Sequence, residues 1–245
     1  MSETVLNSGD TAWMLMSCAL VLLMTPGLAL FYGGMVRAKG VLNMMMMSFI
    51  SMGIVSVLWV LYGYSMAFGK DLGGGLLGDP FQMFGLTKEI APDSFFGTIP
   101  TSVFIAFQAM FAIITVALIS GAIADRTKFG GWIVFVIVWS TVVYFPVAHW
   151  VFDFDSGDKD PGGWIANQLK AIDFAGGTAV HINAGIAGLA AALVIGKRVG
   201  FGREGFKPHN LTLVMIGAGL LWFGWFGFNA GSAVASNATA GITFL

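Results

Sequence analysis

The sequence predicts an all-α integral membrane protein, and the composition, the apolar segments and the placement of charge all favour this fold class. Of 245 residues, 57% are hydrophobic and only 10% are charged. Soluble domains contain about 25% charged residues, so a soluble chain of this length could not cover so much apolar surface with polar groups. A lipid bilayer removes that requirement, because apolar helices can face lipid directly.

Six apolar segments are long enough to cross a bilayer, which takes about 20 residues in a helix. None of them contains Asp, Glu, Lys or Arg. The predicted membrane segments are 11–34, 41–68, 100–124, 130–151, 176–196 and 210–232. The apolar remainder, 233–245, is too short to cross alone and could begin a seventh helix. We therefore treat residues 1–245 as one membrane domain.

Charged residues divide between the two sides of these segments. The first, third and fifth connections hold eight of the twelve basic residues and two of the thirteen acids, and the opposite side holds the rest. Short loops rich in Lys and Arg stay in the cytoplasm, so the N-terminus is expected outside the plasma membrane. The acidic outer loops could concentrate cations or simply be solvated charged loops. A net charge of -1 gives no reason to expect a nucleic-acid partner.

One ionisable side chain, His181, lies inside a membrane segment, eight residues after Asp173 and sixteen before Lys197. At 1.5 Å per residue it is about 12 Å from the outer end and about 24 Å from the inner end. A neutral imidazole there could exchange hydrogen bonds with a small polar permeant, or be a hydrogen-bonded structural group. His149 and His209 lie at segment ends, where structural roles are expected.

The histidines share no metal-ligand spacing, and no carboxylate is expected beside them on one helix face. We therefore predict no metal site, no cofactor and no catalytic residue. A run of small residues, Ala184, Gly188 and Ala192, recurs every four positions, which is typical of a helix-packing face.

Five further residues could form a cation site at the outer side. Asp173 precedes the fifth segment and could cap that helix, shape a cation site, or do both. Phe107 and Phe111 are four residues apart, as are Phe228 and Ser232, so each pair shares a helix face. Aromatic faces attract cations and a hydroxyl oxygen accepts hydrogen bonds from them, although packing alone is the alternative for each pair.

Several of these residues fall in longer motifs. The segment from Asp173 to Gly185, reading DFAGGTAVHINAG, resembles the signature of the Amt/Rh ammonium transporter family. The segments 26–34, 107–111 and 224–232 resemble the first, third and sixth helices of that family. The resemblance covers essentially the whole chain, and the short N-terminus fits the Amt branch better than the Rh branch.

The resemblance implies roles for the aromatic residues. Phe111, Phe228 and Ser232 match positions lining an outer ammonium site, and Phe111 and Phe228 match a stacked gate beneath it. Phe107 is read as a helical neighbour of Phe111 that does not line the site. The family also places a Trp where this chain has Phe152, which keeps an aromatic face but lacks the indole N–H.

Trp150 or Trp164 could replace that missing indole. His181 matches the first of two pore histidines that share a proton, and Asp173 matches an acid that organises the outer site. The implied function is transport: NH4+ is recruited outside, loses a proton, and crosses as NH3 past the pore histidine. An ammonium sensor module and a membrane enzyme are the alternatives, and the family implies a homotrimer and a PII-type cytoplasmic regulator.

The family's helical bundle has about eleven spans in two inverted five-helix repeats, with the pore between the repeats. This chain matches the first repeat plus the sixth helix, so the second repeat and the second pore histidine are missing from it. We expect either a fragment or a partner chain that supplies the second half, and a fragment that does not transport is an alternative to the transport function.

Overall fold

The computed structural model describes residues 6–154 and 161–245, and in them six helices are long and apolar enough to cross a membrane. They are Ser8–Met35, Ala38–Phe68, Thr101–Ile123, Phe129–Phe152, Gly177–Ile195 and Leu211–Gly231, here called the first to sixth spans. Each predicted segment overlaps one of them. The end of the bundle that carries the N-terminus is called the outer end.

Three spans contain a π-helical turn, in which one extra residue widens the helix. These turns are Trp59–Gly63, Ser140–Tyr144 and Gly177–Ile182. The first turn joins the α-helices Val41–Leu58 and Tyr64–Phe68 of the second span. The second turn joins Phe129–Trp139 and Phe145–Phe152 of the fourth span. The third turn precedes the α-helix Asn183–Ile195 of the fifth span. Short 3-10 turns, Ala38–Gly40 and Ser120–Ile123, begin the second span and end the third after Thr101–Ile119. Such π-helical turns are rare and often occur at functional sites.

The remaining elements are short and lie between or after the spans. Two strands, β1 (Phe95–Phe96) and β2 (Ile99–Pro100), pair antiparallel across the turn at Gly97 and Thr98. This ribbon is an addition to the all-α expectation, and it is too short to carry a periodic sequence signal. The other short pieces are Phe84–Leu86, Trp164–Asn167 and Ala238–Phe244.

The third span forms the centre of the bundle. Its side chains are buried around the whole helix, including Phe104, Phe107, Phe111 and Ile114, which are each less than 5% exposed. It packs against the first, second and fifth spans. A helix that is apolar on every face belongs in such a central position, and this places Phe107 and Phe111 at the middle of the molecule.

The first and sixth spans pack backbone to backbone through glycine. A Cβ atom added at Gly227 would lie 2.6 Å from the Cβ of Leu20, and one at Gly231 would lie 2.7 Å from the Cβ of Ser17. One added at Gly217 would overlap the backbone of the first span. In a membrane, where helices gain no hydrophobic advantage from pairing, close van der Waals contact of this kind holds them together.

Candidate functional site

A cavity of about 470 Å³ opens at the outer end, between the third, fourth, fifth and sixth spans. Five of the seven residues predicted for the site line it: Phe107, Phe111, Phe152, Asp173 and Ser232. The other two, Phe228 and His181, lie directly beneath. The structure therefore brings all seven predicted residues together around one cavity and its floor.

The carboxylate of Asp173 caps the fifth span. It accepts hydrogen bonds from the amides of Gly176 at 2.7 Å, Gly177 at 2.8 Å, Thr178 at 2.7 Å and Ala179 at 3.0 Å. The first amides of a helix have no partner within it, so one side chain satisfies four such donors. The capping interpretation is confirmed, and the same side chain also lines the cavity.

Gly176 makes this cap possible. Its φ of +92° is left-handed, which glycine adopts without strain, and it turns the chain so that successive amides point at Asp173. A Cβ atom there would lie 2.7 Å from Cγ2 of Val180. The glycine in this motif therefore serves the geometry of the cap.

A column of aromatic rings forms the floor of the cavity. The ring centroids of Phe107 and Phe111 are 4.9 Å apart, and those of Phe111 and Phe228 are 4.4 Å apart with planes inclined by 34°. The ring of His181 follows, 5.6 Å from Phe228, and stacks on Trp225 at 5.5 Å and 14°. The Phe111–Phe228 pair thus separates the outer cavity from the imidazole.

The hydroxyl of Ser232 lies one helical turn outward from Phe228. It donates a hydrogen bond to the carbonyl oxygen of Phe228 at 2.8 Å. Because the proton is used in that bond, the hydroxyl oxygen offers its lone pairs to the cavity that it lines. This oxygen is suited to accept a hydrogen bond from a cationic N–H group.

A second cavity, of about 510 Å³, begins on the other side of His181. Its walls include the small residues Ala184, Gly185, Gly188 and Ala192 of the fifth span. The run of small residues therefore borders open space as well as packing, since a Cβ atom at Gly188 would still lie 3.2 Å from that of Ala122.

Neither tryptophan proposed as a substitute for the missing indole is among the residues that line the outer cavity. The indole N–H of Trp150 donates to the carbonyl oxygen of Leu76 at 2.7 Å, and its ring contacts Trp164 at 5.9 Å. Phe152 does line the cavity, so this position is occupied by an aromatic ring without a hydrogen-bond donor.

Phe107 lines the cavity beside Phe111, although the family resemblance assigned it no place in the ammonium site. Sequence reasoning missed three further residues of the site. Gln108 and Lys170 line the cavity too, and Trp225 stacks on His181. Gln108 could have been found as the one amide in the otherwise apolar run 103–114. Lys170 lies in a connection whose path has no sequence signal, and Trp225 is one of eight tryptophans.

The other two histidines lie away from the cavity. The ring of His149 is fully buried, with Nδ1 3.1 Å from the carbonyl oxygen of Ala67 and Nε2 3.3 Å from Oδ1 of Asp71. Oδ2 of Asp153, one turn further along, is 3.4 Å from Nδ1. The expectation that no carboxylate accompanies a histidine on one helix face was wrong, because Asp153 follows His149 by four residues, about one helical turn. His209 Nδ1 contacts the carbonyl oxygen of Val36 at 2.9 Å.

Asp71 is held in its ionised form by the surrounding loop. Burial by itself would raise the pKa of this carboxyl, but the amides of Gly75 at 2.8 Å and Gly73 at 3.2 Å donate to it, and His149 adds a further contact. Together they lower the pKa of Asp71 below its usual value. Among the residues that the structure describes, no group of three or more His, Cys, Asp or Glu side chains could hold a metal ion.

Comparison with known proteins identifies the family of this chain. The profile of the Ammonium Transporter Family matches residues 12–245. An ammonium transporter of Mycobacterium tuberculosis is 62% identical over 254 residues, covering 98% of this chain and 53% of that protein. The crystal structure of Saccharomyces cerevisiae Mep2 is 34% identical with a TM-score of 0.86, covering 99% of this chain and 54% of Mep2.

A structure named Sensor Amt Protein also matches, 30% identical with a TM-score of 0.84, over 95% of this chain and 56% of that one. The curated relatives are named transporters, which does not favour a sensor or an enzyme. The chain spans about half the length of the curated relatives it matches. With a helical bundle of the Amt and Mep2 type and six apolar helices in its described part, this chain belongs to the ammonium transporter family.

Proposed function

We propose that the protein carrying this chain moves ammonium across the plasma membrane, with its N-terminus outside. One observation carries the proposal: the Phe111–Phe228 pair separates a cavity holding Asp173 and Ser232 from one walled by small residues, with His181 directly below the pair. This arrangement suits a permeant that is a cation on one side and neutral on the other.

At the outer cavity, NH4+ is recruited by aromatic faces and one hydroxyl oxygen. Phe107, Phe111 and Phe152 offer three rings, and Ser232 offers an oxygen that can accept an N–H hydrogen bond. A cation over an aromatic face gains about 0.5–2 kcal/mol, with the larger values in dry surroundings. Asp173 keeps a negative charge at the cavity wall, and its hydrogen bonds to four amides hold it in place.

Below the aromatic pair, the permeant travels as NH3. A bare cation in an apolar conduit is prohibitively unfavourable, so the N–H bond of NH4+ breaks and its proton passes to water outside or to the neutral imidazole nitrogen of His181. His181 is the first group that can exchange a proton or hydrogen bond there, and Trp225 and Phe228 fix the plane of its ring. The proton would leave separately along a histidine path if transport carries current.

The proposal also covers what the chain contacts: lipid, other copies of the protein and a regulatory partner. Lipid or a neighbouring helix faces the apolar side chains that the described residues leave exposed, such as Leu193, Val194 and Trp222. Residues 1–245 supply one repeat and the sixth span of the bundle, and the family suggests a homotrimer. A PII-type regulator would dock at the basic inner loops, where Arg37 and Arg198 flank Asp125 at 3.2 and 3.7 Å.

Uptake of labelled methylammonium tests this function, with the protein expressed as its gene encodes it in cells that lack their own transporter. We expect uptake that unlabelled ammonium competes away. His181→Ala should abolish uptake or change the current it carries, whereas His209→Ala, a histidine at the inner end, should leave both close to wild type. Wild-type protein that reaches the membrane but shows no uptake and no current would refute the proposal.

A further inference from the structure

Asp10 is a buried carboxylate that the transport mechanism does not use. It lies in the first turn of the first span and is only 7% exposed. Its Oδ2 accepts a hydrogen bond from the hydroxyl of Thr98 at 2.5 Å, and its Oδ1 accepts one from the amide of Ser236 at 2.8 Å. Burying a carboxylate is costly unless it is well paired, and these bonds join three stretches of chain that are far apart in sequence.

Trp13 lies one turn further along the same helix and makes an additional contact with the end of the sixth span. Its indole N–H donates to the carbonyl oxygen of Ala230 at 3.3 Å. The first span therefore grips the chain two residues before Ser232, through Trp13, and four residues after it, through Asp10. Ser232 sits between the two grips.

The gripped stretch has an unfavourable backbone of its own. Val234 has a φ of +53°, a left-handed conformation that is strained for a β-branched residue. Strained positions persist when surrounding structure holds them, and they concentrate at binding sites. Val234 lines the outer cavity together with Ser232, so the strained turn forms part of the cavity wall.

The other side of Asp10 reaches the same cavity. Thr98 belongs to the turn between the two short strands, and its carbonyl oxygen also accepts from the amide of Asn7 at 2.9 Å. Two residues earlier, Phe96 stacks on Phe104 with ring centroids 3.7 Å apart. Phe96 and Phe104 both line the cavity. Asp10 therefore ties two parts of the cavity wall to one helix.

We propose that Asp10 and Trp13 are positioning residues for the outer cation site: from the first span they hold the turn that presents Ser232 and Val234, and Asp10 also holds the Thr98 turn that carries Phe96. The expected effect on transport rests on the proposed function, whereas the contacts of Asp10 and Trp13 are independent of that function. The negative charge of Asp10 acts here as a hydrogen-bond acceptor and not as a lure for cations.

Three variants separate these roles in the uptake measurement. Asp10→Ala removes both bonds, and we expect KM to rise by about three- to tenfold with the maximal rate retained, because the turn that presents Ser232 is then less well held. Asp10→Asn can still accept from Ser236 and donate to Thr98, so it should recover most of the affinity. Trp13→Phe keeps the ring and loses only the N–H, so its KM should rise by about twofold to threefold. Asp93→Ala removes an exposed outer acid and should change nothing.

Amide hydrogen exchange over residues 230–237 gives a readout that does not depend on transport. Exchange should be faster in Asp10→Ala and Trp13→Phe than in wild type, and unchanged in Asp93→Ala. If the variants exchange faster but the wild-type protein takes up no ammonium, the positioning role of Asp10 and Trp13, here called the clamp, is supported and the proposed transport function is refuted. The clamp is rejected if exchange and KM stay at wild-type values in both variants. It is also rejected if Asp10→Asn behaves like Asp10→Ala, because charge would then be the cause. Should Asp10→Ala fail to reach the membrane, Trp13→Phe decides.

Discussion

The outer and inner cavities differ in chemistry although they are similar in size, about 470 and 510 Å³. The outer cavity is lined by aromatic rings and by four polar side chains. These are the carboxylate of Asp173, the side-chain ammonium group of Lys170, the amide of Gln108 and the hydroxyl of Ser232. The inner one contains mostly small aliphatic residues, and its polar side chains are His181 and Tyr32. Tyr32 already donates its proton to the carbonyl oxygen of Leu118 at 2.9 Å.

Under the proposed function, the difference determines where along the transport path a charged permeant is stabilised. A cation in the outer cavity finds π faces and oxygen acceptors, whereas a cation in the inner cavity finds almost none. Between them lies the Phe111–Phe228 pair, each ring 2% exposed or less, which excludes water from the boundary. We therefore expect outer substitutions to change affinity and inner substitutions to change the maximal rate.

Among the substitutions that compare the two cavities, the largest effect should come from Asp173→Ala, which removes the cap that anchors the outer cavity wall. Four amides lose their acceptor, and at about 1 kcal/mol per hydrogen bond the start of the fifth span should loosen and uptake should fall more than about tenfold. Uptake normalised to protein in the membrane measures this. Asp93→Ala is the matched control, and an equal loss in both would show that outer charge, and not this cap, is responsible.

The second effect concerns the inner side alone. Gly185 lines the inner cavity, and a Cβ atom there would meet nothing within 4 Å, so Gly185→Leu should fill the path without distorting the helix. We expect the maximal rate to fall several-fold while KM stays within about twofold of wild type. Gly130→Leu, at an equally open position in the fourth span, is the control. A large rise in KM would contradict the division between the cavities.

A gain in affinity should follow from Phe152→Trp at the outer cavity. Trp is the stronger cation–π partner, and an additional 0.5–1 kcal/mol would lower KM by about two- to fivefold. Phe81→Trp, an exposed outer position away from the cavity, should have no effect. An unchanged KM for Phe152→Trp would mean that this ring does not touch the cation.

The smallest effect on transport should come from Asp71→Asn, because Asp71 pairs with His149 outside the cavity. KM should stay at the wild-type value, whereas stability should fall at neutral pH. The folded protein lowers the pKa of Asp71, so its stabilising effect is complete above the unfolded pKa of about 4 and is lost as the pH falls through the lower folded pKa. Thermal unfolding at pH 7 and near pH 3 should show the variant and wild type converging in acid. A gap of equal size at both pH values would contradict this account.

Much of the fold was predictable because each membrane helix corresponds to one long apolar segment of the sequence. Spans, caps and same-face pairs depend on residues close in sequence, which is why the Asp173 cap could be anticipated. The contact between Phe111 and Phe228 joins residues far apart in sequence and was anticipated only through the family resemblance. A helical period shows which residues share a face, but not which neighbour that face meets. This is why the sequence alone could not show that Phe107 and Gln108 border the outer cavity.

The connections were harder to predict. Lys170 and Phe96 reach the outer cavity from loops, and the bonds of Asp10 to Thr98 and Ser236 join residues 88 and 226 positions apart. Such contacts depend on backbone turns with no periodic signal, including the left-handed Val234. The π-helical turns were also missed, since an extra residue in a helix changes no composition.

The π-helical turn Gly177–Ile182 sets the rotational phase of everything after it. An α-helix advances about 100° per residue, so removing one residue from this turn would rotate the rest of the fifth span by that angle. His181 would keep its place near Phe228 only if Gly185, Gly188 and Ala192 swung away from the inner cavity. A deletion of a single codon here would therefore keep the helical hydrogen bonds of the fifth span but rotate its small residues away from the inner cavity.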